Sequence, residues 1–261
     1  MKLKTMALAT SLAFVATASH ALVIIDNFND PYSPGQTVEV DGVPASATNT
    51  LSGLTGVLGG SRQLDITCNS GCTDGTSRTA SLAVELGELA WANASGVRST
   101  ASVTWNASGT GLNFNILAAG THILARVLEA DLGFNGNLTL ATSGGGSTKL
   151  FSGSVNAVLP ASPEISAYNV AWFNYADGDY FAEGLPFTIA NTGGGVDLND
   201  VDSIVFEMSN DGACYISYPA LCSTAVDLRV DDIKVPEPGS MALAGLGLVG
   251  LAALRRRKQA Q

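Results

Sequence analysis

Positive charge and histidine are scarce in this chain of 261 residues. It has 13 Lys and Arg against 23 Asp and Glu, a formal net charge of -10, and only two histidines. Six of the 13 cations lie in two short end segments, so the body between them holds 22 acidic and 7 basic residues. Nucleic-acid binding depends on clustered Lys and Arg that contact phosphates. The composition therefore excludes a nucleic-acid-binding protein and indicates an acidic surface that repels its own copies and attracts divalent cations.

Catalytic motifs are absent as well. His122 is accompanied by neither a G-x-S-x-G nor an H-E-x-x-H pattern. The carboxylate pairs Asp177 with Asp179 and Glu85 with Glu88 are of the kind that glycosidases use. Asp and Gly favour turns for backbone reasons, however, and the first pair flanks a glycine. The sequence predicts a non-catalytic protein, and a glycoside-active enzyme is the last of the alternatives.

The first 21 residues have the form of a secretory signal peptide. Lys2 and Lys4 precede a mostly apolar stretch, and Ser19 and Ala21 place small residues at positions −3 and −1 of a cleavage site. We expect the secretion machinery to export the chain and signal peptidase to cut before Leu22. Cleavage after Ala18 is the alternative.

The other end of the chain has three parts in a fixed order. A Pro236-Glu237-Pro238 step is followed by residues 241–254, which are only Met, Ala, Leu, Gly and Val. Four cations then follow, namely Arg255, Arg256, Arg257 and Lys258. Residues 240–254 would span about 22 Å as a helix, short of a bilayer core of about 30 Å, but snorkelling arginines close most of the gap. This pattern predicts a transmembrane helix with its cations on the cytoplasmic side.

Taken together, this tail resembles the PEP-CTERM sorting signal of Gram-negative bacteria. The resemblance implies that exosortase, a membrane-embedded protease-transpeptidase, recognises the tail, cuts near Pro-Glu-Pro and releases or transfers the protein. It also implies an envelope or extracellular-matrix protein of a bacterium that makes exopolysaccharide and biofilm. A plain membrane anchor is the alternative. The predicted organisation is a signal peptide at 1–21, an ectodomain at 22–234 and a sorting signal at 235–261.

The body has the period-two alternation of β-strands. Leu112, Phe114 and Ile116 alternate with asparagines, and Val226 to Val230 alternates apolar with charged residues. Ala80–Asn93 is ambiguous between helix and strand, and we favour strand. Turn residues recur between the runs as they do in sandwiches. We therefore predict an all-β fold, a two-sheet antiparallel jelly-roll-like sandwich, with strands at 22–25, 62–67, 99–105, 112–117, 122–128, 137–142, 203–208 and 226–235.

Three short stretches resemble jelly-roll, galactose-binding-like domains, to which many carbohydrate-binding modules are similar. They are residues 24–28 (IIDNF), 57–62 (VLGGSR) and 230–233 (VDDI). The resemblance implies that the first and last strands pair, which would bring Asp26 near Asp231 and Asp232. The alternation also slips at these two aspartates, which indicates a β-bulge. Since Ca²⁺ takes six to eight oxygen ligands, these three carboxylates are a candidate structural calcium site, and solvated bulge residues are the alternative.

One aromatic-rich stretch, residues 172–181, is a candidate carbohydrate site. Rings can stack on sugars, and amide and carboxylate groups can bond the hydroxyls between them. Filling of the sandwich core is the alternative use of the rings. The candidate residues are Trp172, Asn174, Tyr175, Asp177, Asp179 and Tyr180.

An even number of cysteines in an exported chain predicts disulfides. Of the three possible pairings we favour the two local ones, Cys68 with Cys72 and Cys214 with Cys222. Zinc is the rival use, but these spacings do not match its usual sites.

Overall fold

The computed structural model describes residues 23–31, 34–73, 75, 78–120, 122–130, 134–155, 169–174, 190–211 and 227–235. These residues form fourteen strands and one single-turn α-helix, α1 (Ile116–Ala119). The strands are β1 (Val23–Asp26), β2 (Gln36–Val40), β3 (Ala45–Ser52), β4 (Ser61–Ser70), β5 (Ala80–Glu85), β6 (Glu88–Asn93), β7 (Arg98–Trp105), β8 (His122–Ala130), β9 (Phe134–Ala141), β10 (Ser147–Val155), β11 (Asn169–Asn174), β12 (Ala190–Thr192), β13 (Ser203–Ser209) and β14 (Asp227–Val235).

The strands build two sheets of seven. The first has the order β11-β8-β14-β6-β5-β2, with β1 also paired to β14. The second has the order β12-β10-β9-β13-β7-β4-β3. Every strand pair among the described residues is antiparallel. The predicted two-sheet antiparallel sandwich is therefore confirmed.

The core lies between the two sheets and follows from the alternation of side chains. Along β7 every second residue is buried, ending at Trp105, and β6, β9 and β13 repeat the pattern. Trp91 of β6 meets Phe134 of β9 edge to face, with ring centroids 6.1 Å apart. Because successive side chains of a strand point to opposite faces, one apolar face per strand is sufficient to fill the interior.

Two of the strand predictions, the ambiguous one at 80–93 and the clear alternation at 112–117, had different outcomes. Residues 80–93 form the β5–β6 hairpin, whose two turn residues, Leu86 and Gly87, have φ angles of 54° and 87°. The preference for strand is confirmed, and the positive φ values match a hairpin turn that follows the twist of the strands.

The strand predicted at 112–117 is wrong. Phe114 makes only an isolated bridge to Val201, and the chain then turns into α1. The Asn115 side chain accepts a hydrogen bond from Ala118 N–H (2.9 Å), which caps this helical turn. Asparagine competes for backbone groups in this way, so an apolar alternation that contains asparagines is a weaker strand signal than it looks.

The last strand behaves as predicted. β1 pairs with β14, with Val23 opposite Val235 and Asp26 opposite Ile233. Against β8, the register of β14 shifts between Val230 and Asp232, and both Val230 and Ile233 are buried. The pairing of first and last strands and the β-bulge are both confirmed.

The local disulfide Cys68–Cys72 is present, with an S–S distance of 2.10 Å. Cys214 and Cys222 lie outside the described residues, as does the predicted transmembrane segment. Among the residues that are described, none of the helices has the length and apolar character needed to span a bilayer.

Candidate functional site

Asp26 is the centre of a polar cluster inside the sandwich. It ends β1 and is fully buried. Both carboxylate oxygens accept hydrogen bonds of 2.9 Å from Arg62 Nη1–H. Trp105 Nε1–H donates to Oδ2 (2.8 Å) and Phe28 N–H donates to Oδ1 (2.8 Å). The carboxylate is therefore surrounded by donors, as a buried charge requires.

Arg62 extends this polar cluster to residues of both sheets. It is also fully buried. Its Nε–H donates to Gln36 Oε1 (2.9 Å), its Nη2–H donates to the Asp30 carbonyl (2.5 Å), and its guanidinium lies 5.6 Å from the centroid of the Phe28 ring. Gln36 in turn donates to the Asn49 carbonyl (2.8 Å). Arg62 of β4 thus contacts β1 and β2 of the first sheet, while Asn49 of β3 and Trp105 of β7 join the cluster through Gln36 and Asp26.

The carboxyl groups near the cluster are perturbed in opposite directions. Burial raises the pKa of Asp26 from its ordinary 3.8, while Arg62, Trp105 and Phe28 act against that increase. The hydrogen bonds from Thr55 N–H (2.6 Å) and its hydroxyl (3.0 Å) lower the pKa of the exposed Asp30. Asp26 has no exposed surface, so neither solvent nor a substrate reaches it. Its raised pKa is therefore a consequence of a structural role.

The side chains of the three aspartates of the calcium hypothesis do not converge, although the pairing of β1 with β14 sets Asp26 opposite Ile233, the neighbour of Asp232. Asp26 points between the sheets toward Arg62, while Asp231 and Asp232 are paired with Arg126 (2.5 Å) and Lys234 (2.8 Å) and remain partly exposed. Across the described ranges there is no group of three His, Cys, Asp or Glu side chains that could hold a metal ion. An arginine occupies the place beside Asp26 where the hypothesis put a cation, since a guanidinium satisfies two carboxylate oxygens at once.

Only some of the candidate carbohydrate residues lie among the residues that the structure describes. Trp172 and Asn174 belong to β11, whose backbone pairs with β8 at the end of the first sheet. Tyr175, Asp177, Asp179 and Tyr180 lie outside the described residues. Sugar binding by this stretch stays a prediction.

The structure also contains a polar cleft that sequence reasoning missed. It is about 240 Å³ in volume and lies where β7 ends, β9 turns into β10 and β13 begins. A single sequence signal points to it: the run Asn106 to Gly111 (NASGTG), which is rich in turn residues. The lining residues are Asn106, Gly109, Thr110, Gly111, Ala141, Thr142, Ser143, Asp202 and Ser203, hereafter the Asp202 cleft.

Solved structures similar to this chain are carbohydrate-binding modules. One is the family 11 carbohydrate-binding module of the cellulosomal cellulase Lic26A-Cel5E of Clostridium thermocellum, at 12% identity and a TM-score of 0.36, covering 85% of this chain and 97% of that one. Another comes from work on the promiscuous specificity of carbohydrate-binding modules of the β-sandwich superfamily, at 10% identity and a TM-score of 0.24, covering 75% and 59%. These values are too low to transfer a ligand or a site.

No curated protein matches the sequence. The C-terminal segment does match a family model. Residues 234–258 match the PEP-CTERM protein-sorting motif, which marks this chain as an exported protein that exosortase processes.

Proposed function

We propose that the sandwich is a non-catalytic protein of the cell envelope or extracellular matrix, associated with exopolysaccharide or biofilm. The observation that carries the proposal is the junction between sandwich and sorting motif. The motif begins at residue 234, while β14 continues to Val235, which is fully buried and pairs with Val23. The sorting segment is thus an extension of a core strand, so the sandwich is the cargo that the signal delivers.

This junction limits where processing can occur. A cut before Val235 would remove a buried side chain from β14 and break its pairing with β1. The product therefore retains Val235 and loses the residues beyond the Pro236–Pro238 step. Before that cut, residues 241–254 hold the precursor in the inner membrane. Because Val23 and Val235 are paired, the two ends of the processed sandwich lie side by side in the first sheet.

The charged groups of the sandwich support a structural rather than a catalytic use. Arg126, Arg229 and Lys234 each pair with carboxylates on neighbouring positions of the first sheet. Asp26, whose pKa burial raises, is enclosed by donors and has no exposed surface. General acid-base catalysis needs a titrating group within reach of the substrate, and Asp26 does not meet that condition.

The test compares the native host with an exosortase-deficient strain. Intact-mass measurement should find the exported form truncated beyond Val235 in the first strain and carrying the basic tail in the second. A Glu237→Ala variant probes the motif, and Glu207→Ala, a charge loss on β13, is its matched control. Pull-down on the host exopolysaccharide then tests the association. An untruncated exported form would contradict processing, and absence of pull-down would contradict the association alone.

A carbohydrate-binding module that uses the aromatic stretch is the second candidate. The position of β11 favours it, because Trp172 and Asn174 then belong to the end strand of the first sheet. Trp172→Ala should weaken polysaccharide binding, whereas Trp172→Phe, which keeps a ring for stacking, should retain most of it. If Trp172→Ala binds the polysaccharide as strongly as Trp172→Phe does, the Trp172 ring takes no part in sugar binding.

A further inference from the structure

The loop that follows β7 is held in an unfavourable backbone conformation. Ala107, Ser108 and Asn113 have φ angles of 52°, 57° and 48°, and Gly109 and Gly111 lie at 87° and 86°. The left-handed region costs a residue with a side chain about 1–2 kcal/mol. Such strain persists only where the surroundings impose it, and it is concentrated at functional sites.

Hydrogen bonds from three directions impose this conformation. Ser108 N–H donates to Ser61 Oγ (2.7 Å), and the hydroxyls of Ser108 and Ser52 are also 2.7 Å apart. Leu112 N–H donates to the carbonyl of Asp202 (2.9 Å). The loop is therefore fixed to β3, to the start of β4 and to the start of β13, and it forms one rigid wall of the Asp202 cleft.

Asp202 presents its carboxylate to the cleft. Its Oδ2 accepts a hydrogen bond from Ser143 N–H (2.5 Å), which orients the group. Its Oδ1 lies beside Gly111, where an added Cβ atom would come within 2.5 Å of it. Gly111 is thus required both by its positive φ and by the room that this carboxylate oxygen needs.

Hydrogen-bond donors share the same cleft. Asn106 Oδ1 accepts from Gly109 N–H (3.1 Å), so the Nδ2 amide of Asn106 faces away from that bond as a donor. Thr110 donates its hydroxyl hydrogen to the Ala107 carbonyl (2.7 Å), which leaves its oxygen as an acceptor. Ser143 and Ser203 add hydroxyls to the lining. The lining of the cleft therefore combines the charged Asp202 carboxylate as an acceptor, the Asn106 amide as a donor, and several hydroxyl groups.

These groups select a class of ligand. Ca²⁺ and Mg²⁺ take oxygen ligands, but Asn106 Oδ1 already accepts from Gly109 N–H, so this amide would offer such an ion its NH₂ group instead of an oxygen. An anionic ligand would meet the Asp202 carboxylate on a chain of net charge -10. Neighbouring hydroxyls of a sugar donate and accept together, which matches this mixture. The volume is below the roughly 300–1,000 Å³ of pockets for drug-sized ligands, so it accommodates a single ring.

We infer that the Asp202 cleft binds one neutral sugar unit, with a sugar hydroxyl donating to Asp202 Oδ1 and another accepting from Asn106 Nδ2–H. The inference rests on the proposed association with polysaccharide and gives it a place on the second sheet, remote in sequence from the aromatic stretch. It also predicts discrimination, because a uronic acid carries the charge that Asp202 repels.

The experiment is calorimetric titration of the mature exported protein with glucose, galactose, mannose and N-acetylglucosamine, and with glucuronate as the anionic counterpart. At least one neutral sugar should bind, and glucuronate should bind at least about tenfold more weakly. Asp202→Asn should weaken the neutral sugar by at least about tenfold, the scale of a lost hydrogen bond to a charged group. Asp200→Asn is the matched control: it removes the same charge two residues away, outside the cleft, and should bind as the natural protein does.

Thermal melting of each variant is the control that tests whether the variant is folded. If Asp202→Asn does not fold, Ser203→Ala and Asn106→Asp test the same cleft from its other walls. Absence of binding by every neutral sugar, or equal affinities of the Asp202 and Asp200 variants, would overturn the inference. Exopolysaccharide pull-down that is unchanged in Asp202→Asn would overturn this site while leaving the proposed function intact. If the protein binds a neutral sugar but is not pulled down by exopolysaccharide, the cleft remains a sugar site and the proposed association with exopolysaccharide is overturned.

Discussion

Replacing Arg62 by methionine tests how the two sheets are held together. The change removes the cation while keeping much of the aliphatic stem, and it leaves the buried Asp26 carboxylate without its charged partner. It also leaves the Gln36 side-chain oxygen and the Asp30 carbonyl without the donors that reach them at 2.9 and 2.5 Å. Breaking one side of a buried ion pair costs about 3–5 kcal/mol. Since domains are stable by only about 5–15 kcal/mol, the variant should be folded but marginal.

The complementary changes complete a double-mutant cycle. Asp26→Leu leaves Arg62 buried and unpaired, and we expect a similar loss of about 3–5 kcal/mol. The double variant Asp26→Leu/Arg62→Met buries no charge, so it should lose far less than the sum of the single variants. Urea unfolding of the mature protein with its disulfides intact measures all four free energies. Additive losses would refute the view that pairing, rather than packing, is what these two residues contribute.

The two single changes should differ in their dependence on pH. Removing Arg62 removes the strongest influence that opposes the rise in the pKa of Asp26, so that pKa moves further above 3.8. A raised native pKa means that the native state binds the proton more tightly, and stability falls as the pH rises through that pKa. The deficit of Arg62→Met should therefore be greatest at neutral pH and should shrink toward pH 4. The deficit of Asp26→Leu should show the opposite trend and be greatest at low pH, because the natural protein loses stability as the pH rises through the raised pKa of Asp26 and the variant has no such titration. Parallel curves for the two variants would contradict this.

Three further predictions concern processing, disulfides and calcium. Intact-mass measurement of the exported protein should show a chain that begins near Leu22, retains Val235 and lacks the basic tail; retention of that tail would favour a plain anchor. Non-reducing peptide mapping should link Cys68 to Cys72 and Cys214 to Cys222, and a peptide joining the two pairs would overturn the local pairing. Because Arg62 already neutralises Asp26, melting curves at fixed ionic strength should shift equally in Ca²⁺ and Mg²⁺, and a calcium-specific shift that Asp232→Asn removes would restore the calcium site.

The features predicted correctly are encoded in contiguous residues. The Pro236–Pro238 step, the apolar run and the four cations form one uninterrupted segment, and they identify the sorting motif without any knowledge of the fold. The alternation along β7, β13 and β14 shows directly which side chains are buried, and its slip at Asp231 and Asp232 marks the bulge. The four-residue spacing of Cys68 and Cys72 favours their pairing. In each case the relevant neighbours in space are also neighbours in sequence.

Contacts between distant strands had to be seen in the tertiary structure. Asp26 is 36 positions from Arg62 and 79 from Trp105, and the Asp202 cleft joins three turns of the second sheet. A period of two shows that a side chain points inward, but it does not show which strand of the opposite sheet faces it. From the sequence, Asp26 was a candidate calcium ligand, with solvated bulge residues as the alternative, and an arginine partner was not predicted. The packing of β1 against β4 and β7 of the opposite sheet places Arg62 beside Asp26, with its guanidinium within 2.9 Å of both carboxylate oxygens.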